Sequence, residues 1–215
     1  MRHMPSARIQ YLNSLVPEDD AFCKLAKAEA LRINKEGISI SPFEGNMLGF
    51  FIRQQSCKKF VELGTLTGYS GLKILQSLPN DGHLWTLELN EEHARIASTL
   101  FDQAGFSGRY TLLVGKAENF LEDLLTHAPF DGVFIDANKA AYPAYLDWSL
   151  KAIKTGGLII ADNTLLKGVV PTDDKASPNK ITQNLRLFNT KLSNRAIFDS
   201  ILIPTDEGLS IAIKK

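Results

Sequence analysis

The chain has 215 residues, 44% hydrophobic and 22% charged, which is enough apolar side chain for one well-packed domain. Lys plus Arg and Asp plus Glu are equal at 24 each, so the positive excess expected of a nucleic-acid binder is absent. No apolar run reaches the roughly 20 residues of a membrane span, and Met1 to Pro5 lacks the apolar stretch of a secretory signal. Cys23 and Cys57 are too few for a disulfide framework or a Cys-rich zinc site, and His3, His83, His93 and His127 are scattered and read as solvated. The expected location is cytoplasmic, with neither nucleic acid nor membrane as partner.

The first forty residues read as helical. Ile9, Leu12 and Val16 recur at helical spacing, as do Phe22, Leu25 and Ala26 after the acidic start Glu18-Asp19-Asp20. Gly37 ends that helix, and Ile38 to Pro42 is extended because a residue before proline avoids the α region. A further helix, about Glu44 to Gln55, carries Met47, Leu48, Phe51 and Ile52. From Lys58 onward strands and helices alternate. Phe60 to Leu63 is a strand, Tyr69 to Leu78 a helix, and Pro79-Asn80-Asp81-Gly82 a turn. His83 to Glu88 is the second strand, and Asn90 caps a helix with Glu91 and Glu92 in its first turn. Gly105 stops that helix. Tyr110 to Val114 is the third strand, and Phe120, Leu121, Leu124 and Leu125 mark a helix. The fourth strand ends at Asp136. A helix follows through Tyr142, Leu146, Leu150 and Ile153, with Tyr142, Tyr145 and Trp148 as packing residues, and Gly156-Gly157 leads into the fifth strand.

Asn163 to Asn179 is a polar loop, long enough for a flap, whose Lys167, Asp173, Asp174 and Lys175 read as solvated. Asn184 to Leu192 is helical, and the runs Ile197 to Ile203 and Leu209 to Ile213 form a β-hairpin around Thr205 to Gly208. The expected fold is α/β: a doubly wound, mostly parallel seven-stranded sheet with a C-terminal antiparallel hairpin and extra N-terminal helices. A helical region over 1–57 precedes a core over 58–215, within one domain.

Three stretches carry chemistry. Glu62-Leu63-Gly64-Thr65-Leu66-Thr67-Gly68-Tyr69-Ser70-Gly71 joins the first strand to its helix, and its glycines permit close backbone approach to a ligand. It lacks the G-x-G-x-x-G of a dinucleotide site, and Glu62 would repel a pyrophosphate while attracting a cationic cofactor. Glu88, ending the second strand, is placed to accept both hydroxyls of a ribose. S-adenosylmethionine, with its ammonium and sulfonium groups, fits both acids. The fourth and fifth strands are apolar runs breaking into Asp136 and into Asp162-Asn163. Ligands of open α/β sheets lie beyond such carboxyl ends. Two carboxylates and an amide oxygen there read as a hard-cation site for Mg²⁺, Mn²⁺ or Ca²⁺ rather than zinc. Taken singly, Asp136 is a helix cap, Asp162-Asn163 a turn and Lys139 a solvated lysine; the joint pattern outweighs these.

With these motifs quoted, the chain resembles the cation-dependent class I O-methyltransferases, the caffeoyl-coenzyme A and catechol O-methyltransferase group, and in particular its small bacterial members. The resemblance implies metal ligation by Asp136, Asp162 and Asn163. It implies S-adenosylmethionine contacts from Ile40, Glu62, Gly64, Ser70, Glu88, Ala117 and Asp136, with Lys139 as general base. It also implies a small phenolic or catechol acceptor and a homodimer in which the N-terminal helices take part. Two positions depart from the family pattern: Asn138 stands where an aspartate is frequent, and Leu166 where plant relatives carry a tryptophan. The rival readings are a nicotinamide-dependent oxidoreductase on a similar sheet, a non-catalytic cofactor-binding protein and a metal-independent methyltransferase.

Overall fold

The structure, a computed structural model, describes residues 6–172 and 179–215, so the expectations for Asp173, Asp174 and Lys175 lie outside the described residues. Three helices lead the chain: α1 (Ala7–Leu15), α2 (Ala21–Arg32) and α3 (Pro42–Gln54). Each begins where a side-chain oxygen accepts an otherwise orphan first-turn N–H. Ser6 serves α1, Asp20 serves α2, and Ser41 with Glu44 makes a capping box on α3. That box and Pro42 in the first turn start α3 two residues earlier than the apolar pattern does.

Strands and helices then alternate as β1 (Lys59–Leu63), α4 (Tyr69–Ser77), β2 (His83–Glu88), α5 (Glu91–Gln103) and β3 (Tyr110–Val114). A 3₁₀ turn at Ala117–Asn119, the short α6 (Leu121–Leu124) and a second 3₁₀ turn at Leu125–His127 replace the single helix expected there. The order continues with β4 (Phe130–Ile135), a 3₁₀ turn at Lys139–Ala141, α7 (Tyr142–Ala152), β5 (Ile153–Ala161), α8 (Val169–Thr172), α9 (Lys180–Leu192), β6 (Phe198–Ile203) and β7 (Leu209–Lys214). The seven strands run β3-β2-β1-β4-β5-β7-β6. Only β7 opposes its neighbours, pairing antiparallel with β5 and β6. This is the doubly wound, mostly parallel sheet with a C-terminal hairpin that the sequence predicts.

The chain divides into two compact units, one ending at Ala117 and one running from Glu118 to Lys215. In the first, β1 and β2 pair parallel from Lys59↔His83 to Leu63↔Leu87, and β2 pairs likewise with β3. Phe60, Val61 and Leu63 of β1, Leu84 of β2, Leu72 and Leu75 of α4 and Phe101 of α5 are all buried. Arg109 fastens the turn before β2, donating to the carbonyls of Pro79 at 2.7 Å and Leu78 at 3.3 Å. In the second unit, β4 and β5 are parallel through Ile135↔Ala161. β5 begins at Ile153 and crosses Gly156-Gly157, which local composition marks as its boundary. Tyr145 and Trp148 of α7 are buried as packing residues, the indole N–H donating to Leu121 O at 2.7 Å.

Candidate active site

In the first unit, the turn after β1 is assembled around Glu62. This carboxylate is fully buried and accepts a hydrogen bond from Thr86 Oγ1 at 2.5 Å, across the β1/β2 pairing. Gly64 N donates to Leu87 O at 3.0 Å, which extends the ladder one rung past the strand end. The chain then reverses. Gly68 caps α4 with φ +92°, and a Cβ there would meet Phe101 Cε1 at 2.8 Å, so both conformation and space demand glycine. No side chain caps α4, so its first N–H groups and the positive end of its dipole face the turn, with Ser70 in the first turn.

Glu88 closes the turn from β2. One carboxylate oxygen accepts Leu66 N at 2.7 Å, and the other accepts Asn90 N at 2.9 Å and lies 3.4 Å from His93 Nδ1. A carboxylate so held keeps lone pairs for further donors. Gly115 N reaches Glu88 O at 2.8 Å, bringing the end of β3 alongside, and Ala117 is buried two residues later. The structure thus gathers Glu62, Gly64, Ser70, Glu88 and Ala117 at one end of β1, β2 and β3. Ile40 is buried in the loop entering α3, and α3 packs on α4, whose first turn holds Ser70.

The turn is also held from the N-terminal helices, which the sequence did not disclose. Thr67 Oγ1 donates to Ala26 O of α2 at 2.7 Å. Asp19, just before α2, receives the Tyr69 hydroxyl at 2.9 Å and the ammonium groups of Lys27 and Lys73 at 2.7 Å each. Burial alone would raise the Asp19 pKa; Lys27 and Lys73 outweigh it and hold the carboxyl below its ordinary value. Burial, and then Asp19 itself, push the Tyr69 hydroxyl far up, so it stays protonated and donates. His93, expected to be solvated, lies against Glu88 because Asn90 caps α5 and sets His93 three residues in.

In the second unit, Asp162 N donates to Ile135 O at 3.0 Å, immediately beyond the last β4/β5 pair Ile135↔Ala161. Asp136 and Asp162 therefore leave neighbouring strands at one level. Asp162 is fully buried and Asn163 nearly so, the latter with φ +59°. Asp136 pairs with Lys139, Nζ to Oδ1 at 2.6 Å, both side chains about a fifth exposed or less. Among the described residues no trio of His, Cys, Asp or Glu side chains converges on a metal position. The oxygen set here is two carboxylates and an amide, all hard donors, and the strand register brings their backbones together. That chemistry fits a divalent cation such as Mg²⁺. Asn138, in the place where an aspartate is frequent, accepts Ala140 N through Oδ1 at 3.2 Å and donates through Nδ2 to Glu118 at 3.3 Å. Lys167 lies 3.8 Å from Glu207, an ion pair rather than a wholly solvated residue.

Comparisons with known proteins give the class. Residues 14–215 match the model of a family described as O-methyltransferase. A catechol O-methyltransferase of Niastella koreensis is 34% identical over 212 residues, covering 95% of each chain. A caffeoyl-CoA O-methyltransferase of Stellaria longipes is 30% identical across 79% of this chain and 73% of its own. Among solved structures, the O-methyltransferase TomG of Streptomyces achromogenes, in complex with SAM and involved in tomaymycin synthesis, superposes with a TM-score of 0.87 at 30% identity, over 96% of this chain and 95% of that one. The chain belongs to the O-methyltransferase family of the catechol and caffeoyl-CoA enzymes. It is an S-adenosylmethionine-dependent O-methyltransferase, which decides against the nicotinamide-dependent oxidoreductase weighed above.

Proposed function

We propose that this enzyme moves the methyl group of S-adenosylmethionine to one hydroxyl of a small catechol-type aromatic, with a divalent cation, Mg²⁺ or alternatively Mn²⁺ or Ca²⁺, held by Asp136, Asp162 and Asn163. The observation that carries this reading is the Asp162 N to Ile135 O bond at 3.0 Å, which sets the two acidic strand ends on one level. The names of the catechol and caffeoyl-CoA relatives support the acceptor class.

In the first unit, Glu62 faces the cationic end of the donor, the uncapped start of α4 its carboxylate, and Glu88 its ribose hydroxyls; Ile40, Gly64, Ser70 and Ala117 shape the walls. Asp136, Asp162 and Asn163 would hold the cation, whose positive charge would lower the pKa of an acceptor hydroxyl, near 10 for an unperturbed phenol. Lys139 would receive the hydroxyl proton as a free amine, having first released its own proton to solvent. In the structure its Nζ lies 2.6 Å from Asp136 Oδ1, the carboxylate that would also hold the cation. The acceptor oxygen forms a bond to the methyl carbon as the carbon–sulfur bond breaks, and its electron pair stays on sulfur, leaving the thioether S-adenosylhomocysteine. The residues contribute chiefly by orientation.

A homodimer belongs to the same reading. Tyr11, Leu15, Leu31 and Phe50 expose more than half their surface on α1 to α3, and light scattering on the eluting protein measures the stoichiometry. A cytoplasmic setting is likewise proposed; no helix among the described residues is long and apolar enough to cross a membrane. The deciding experiment is an acceptor panel of catechols, monophenols and hydroxycinnamoyl thioesters, assayed with and without EDTA, with products placed by NMR. Transfer to vicinal diols that EDTA abolishes and Mg²⁺ restores is expected. Transfer indifferent to EDTA, or confined to monophenols, sinks the proposal.

A further inference from the structure

We propose that the hydroxyl of Tyr142 is a positioning group for the cation site, because it fixes the peptide that joins Asp162 to Asn163. The inference rests on the reading above, in which Asp136, Asp162 and Asn163 hold a divalent cation.

Tyr142 opens α7, three residues after Lys139. Its ring is fully buried and meets Phe188 of α9 edge-on, with centroids 5.3 Å apart. Packing accounts for the ring, and phenylalanine would serve equally. Packing does not account for the hydroxyl, which donates to Asp162 O at 2.8 Å and lies 3.2 Å from Ile135 O. Ile135 O is the same carbonyl that accepts Asp162 N at 3.0 Å. One buried hydroxyl therefore ties the last carbonyl of β4 to the first carbonyl beyond β5, just where Asp136 and Asp162 emerge.

The Asp162 carbonyl matters most. Its peptide plane sets ψ of Asp162 and φ of Asn163 together, and thus the relative directions of two of the three proposed ligand side chains. Asn163 has φ +59°, in the left-handed region that asparagine adopts more readily than other non-glycine residues, so its orientation is set by the hydrogen bonds around it rather than by strain. The surroundings here are specific. Tyr142 holds the carbonyl before Asn163, Leu166 N donates to the Asn163 carbonyl at 3.1 Å, and Thr164 N donates to Gly208 O at 3.0 Å. Asn189 of α9 donates to Thr164 O at 2.8 Å. With the hydroxyl removed, the Asp162 carbonyl loses this anchor, the Asp162–Asn163 peptide is freer to turn, and the ligand oxygens lose their fixed spacing. Groups that orient metal ligands in this way tune affinity without touching the ion.

The test uses the full chain carrying Tyr142→Phe, which keeps the ring. Mn²⁺ affinity is read by electron paramagnetic resonance of the free ion, S-adenosylhomocysteine affinity by calorimetry, and stability by thermal melting. Mn²⁺ Kd is expected to rise about tenfold, the scale of one buried hydrogen bond. S-adenosylhomocysteine Kd, whose proposed residues apart from Asp136 belong to the first unit, stays within about twofold, and kcat at saturating Mn²⁺ recovers. Asn189→Ala, which leaves the Tyr142 ring alone and releases the Thr164 carbonyl, is expected to weaken Mn²⁺ about threefold. Unchanged Mn²⁺ affinity in Tyr142→Phe overturns the proposal. So does a parallel loss of both ligands with a lowered melting temperature, which marks general loosening. Asp162→Ala separates the two levels: if it binds Mn²⁺ as the wild type does, the cation reading itself fails. If it loses the ion while Tyr142→Phe keeps it, only the role of the hydroxyl fails.

Discussion

Replacing Asp19 by asparagine tests whether the N-terminal helices support the cofactor turn through a buried charge. The asparagine oxygen still accepts the Tyr69 hydroxyl, but Lys27 and Lys73 lose their counter-charge. Removing one member of a buried ion pair costs about 3–5 kcal/mol, whereas a fully exposed pair contributes about 0.2–1 kcal/mol. The Asp19 side chain is 8% exposed, Lys73 17% and Lys27 33%, so this pair of bridges lies between those limits. With the amide retaining one hydrogen bond, the loss should be about 2–3 kcal/mol. For a chain of this size that lowers the melting temperature by roughly 5–10 °C.

The pH dependence has a definite sign. The Asp19 pKa is depressed in the folded protein, so its contribution is complete above the ordinary carboxylate value and fades as pH falls through the lower, folded value. Melting curves of wild type and Asp19→Asn should therefore run parallel from pH 8 to pH 5 and converge below about pH 4. Because Tyr69 stands between Gly68 and Ser70, the variant should also bind S-adenosylhomocysteine several-fold more weakly. A melting difference under about 1 °C at pH 7, or one that does not shrink in acid, refutes the electrostatic reasoning. Undiminished cofactor affinity in a destabilised variant refutes the link to the turn.

Gly68→Ala combines a left-handed φ with a Cβ 2.8 Å from Phe101 Cε1 and should cost about 2–4 kcal/mol, measured by denaturant unfolding, with cofactor affinity lost in the same protein. Asp136→Ala and Asp162→Ala should each lower catechol methylation at least about a hundredfold, and Asp162→Ala should do so at unchanged S-adenosylhomocysteine affinity by calorimetry. Burial pushes the Cys23 thiol up to about 12, so Cys23 should resist Ellman's reagent at pH 8 and be labelled only after denaturation, as peptide mass spectrometry would show.

What the sequence discloses here is what a few neighbouring residues determine together. Asn90 with Glu91 and Glu92 places the start of α5, and the strand expected over His83 to Glu88 is β2 to the residue. The site motifs are legible for the same reason, since Glu62 to Gly71 and Asp136 to Lys139 are continuous stretches. The missed features depend on distant partners. Asp19 meets Tyr69 across 50 residues and Tyr142 meets Asp162 across 20, and neither pairing leaves a local pattern. β5 extends back past Gly156 and Gly157 to Ile153, but its register with β4 jumps there, from Phe130↔Ile153 to Gly132↔Leu158, so the two glycines mark an irregularity inside the strand rather than its start, with Gly156 at φ +77°. His93 was within reach: a histidine third in a helix, entered two residues after a strand-end glutamate, is placed to face that glutamate.

The two departures from the family pattern also acquire local reasons. Asn138 donates to Glu118 Oε1, and an aspartate there would set two carboxylates face to face, so the neutral amide suits the acid already present. Leu166 has φ +46°, and its N–H is shared between Asn163 O and Glu207 O at 3.1 Å each. Its backbone thus helps fix the segment after Asn163, while its aliphatic side chain offers no aromatic face for stacking. On the proposed reading, recognition of the acceptor then falls on the two hydroxyls at the oxygen cluster rather than on the remainder of the molecule. Such a site should distinguish vicinal diols from monophenols more sharply than one acyl group from another, because a buried ligand set left half-filled costs more than an apolar contact forgone.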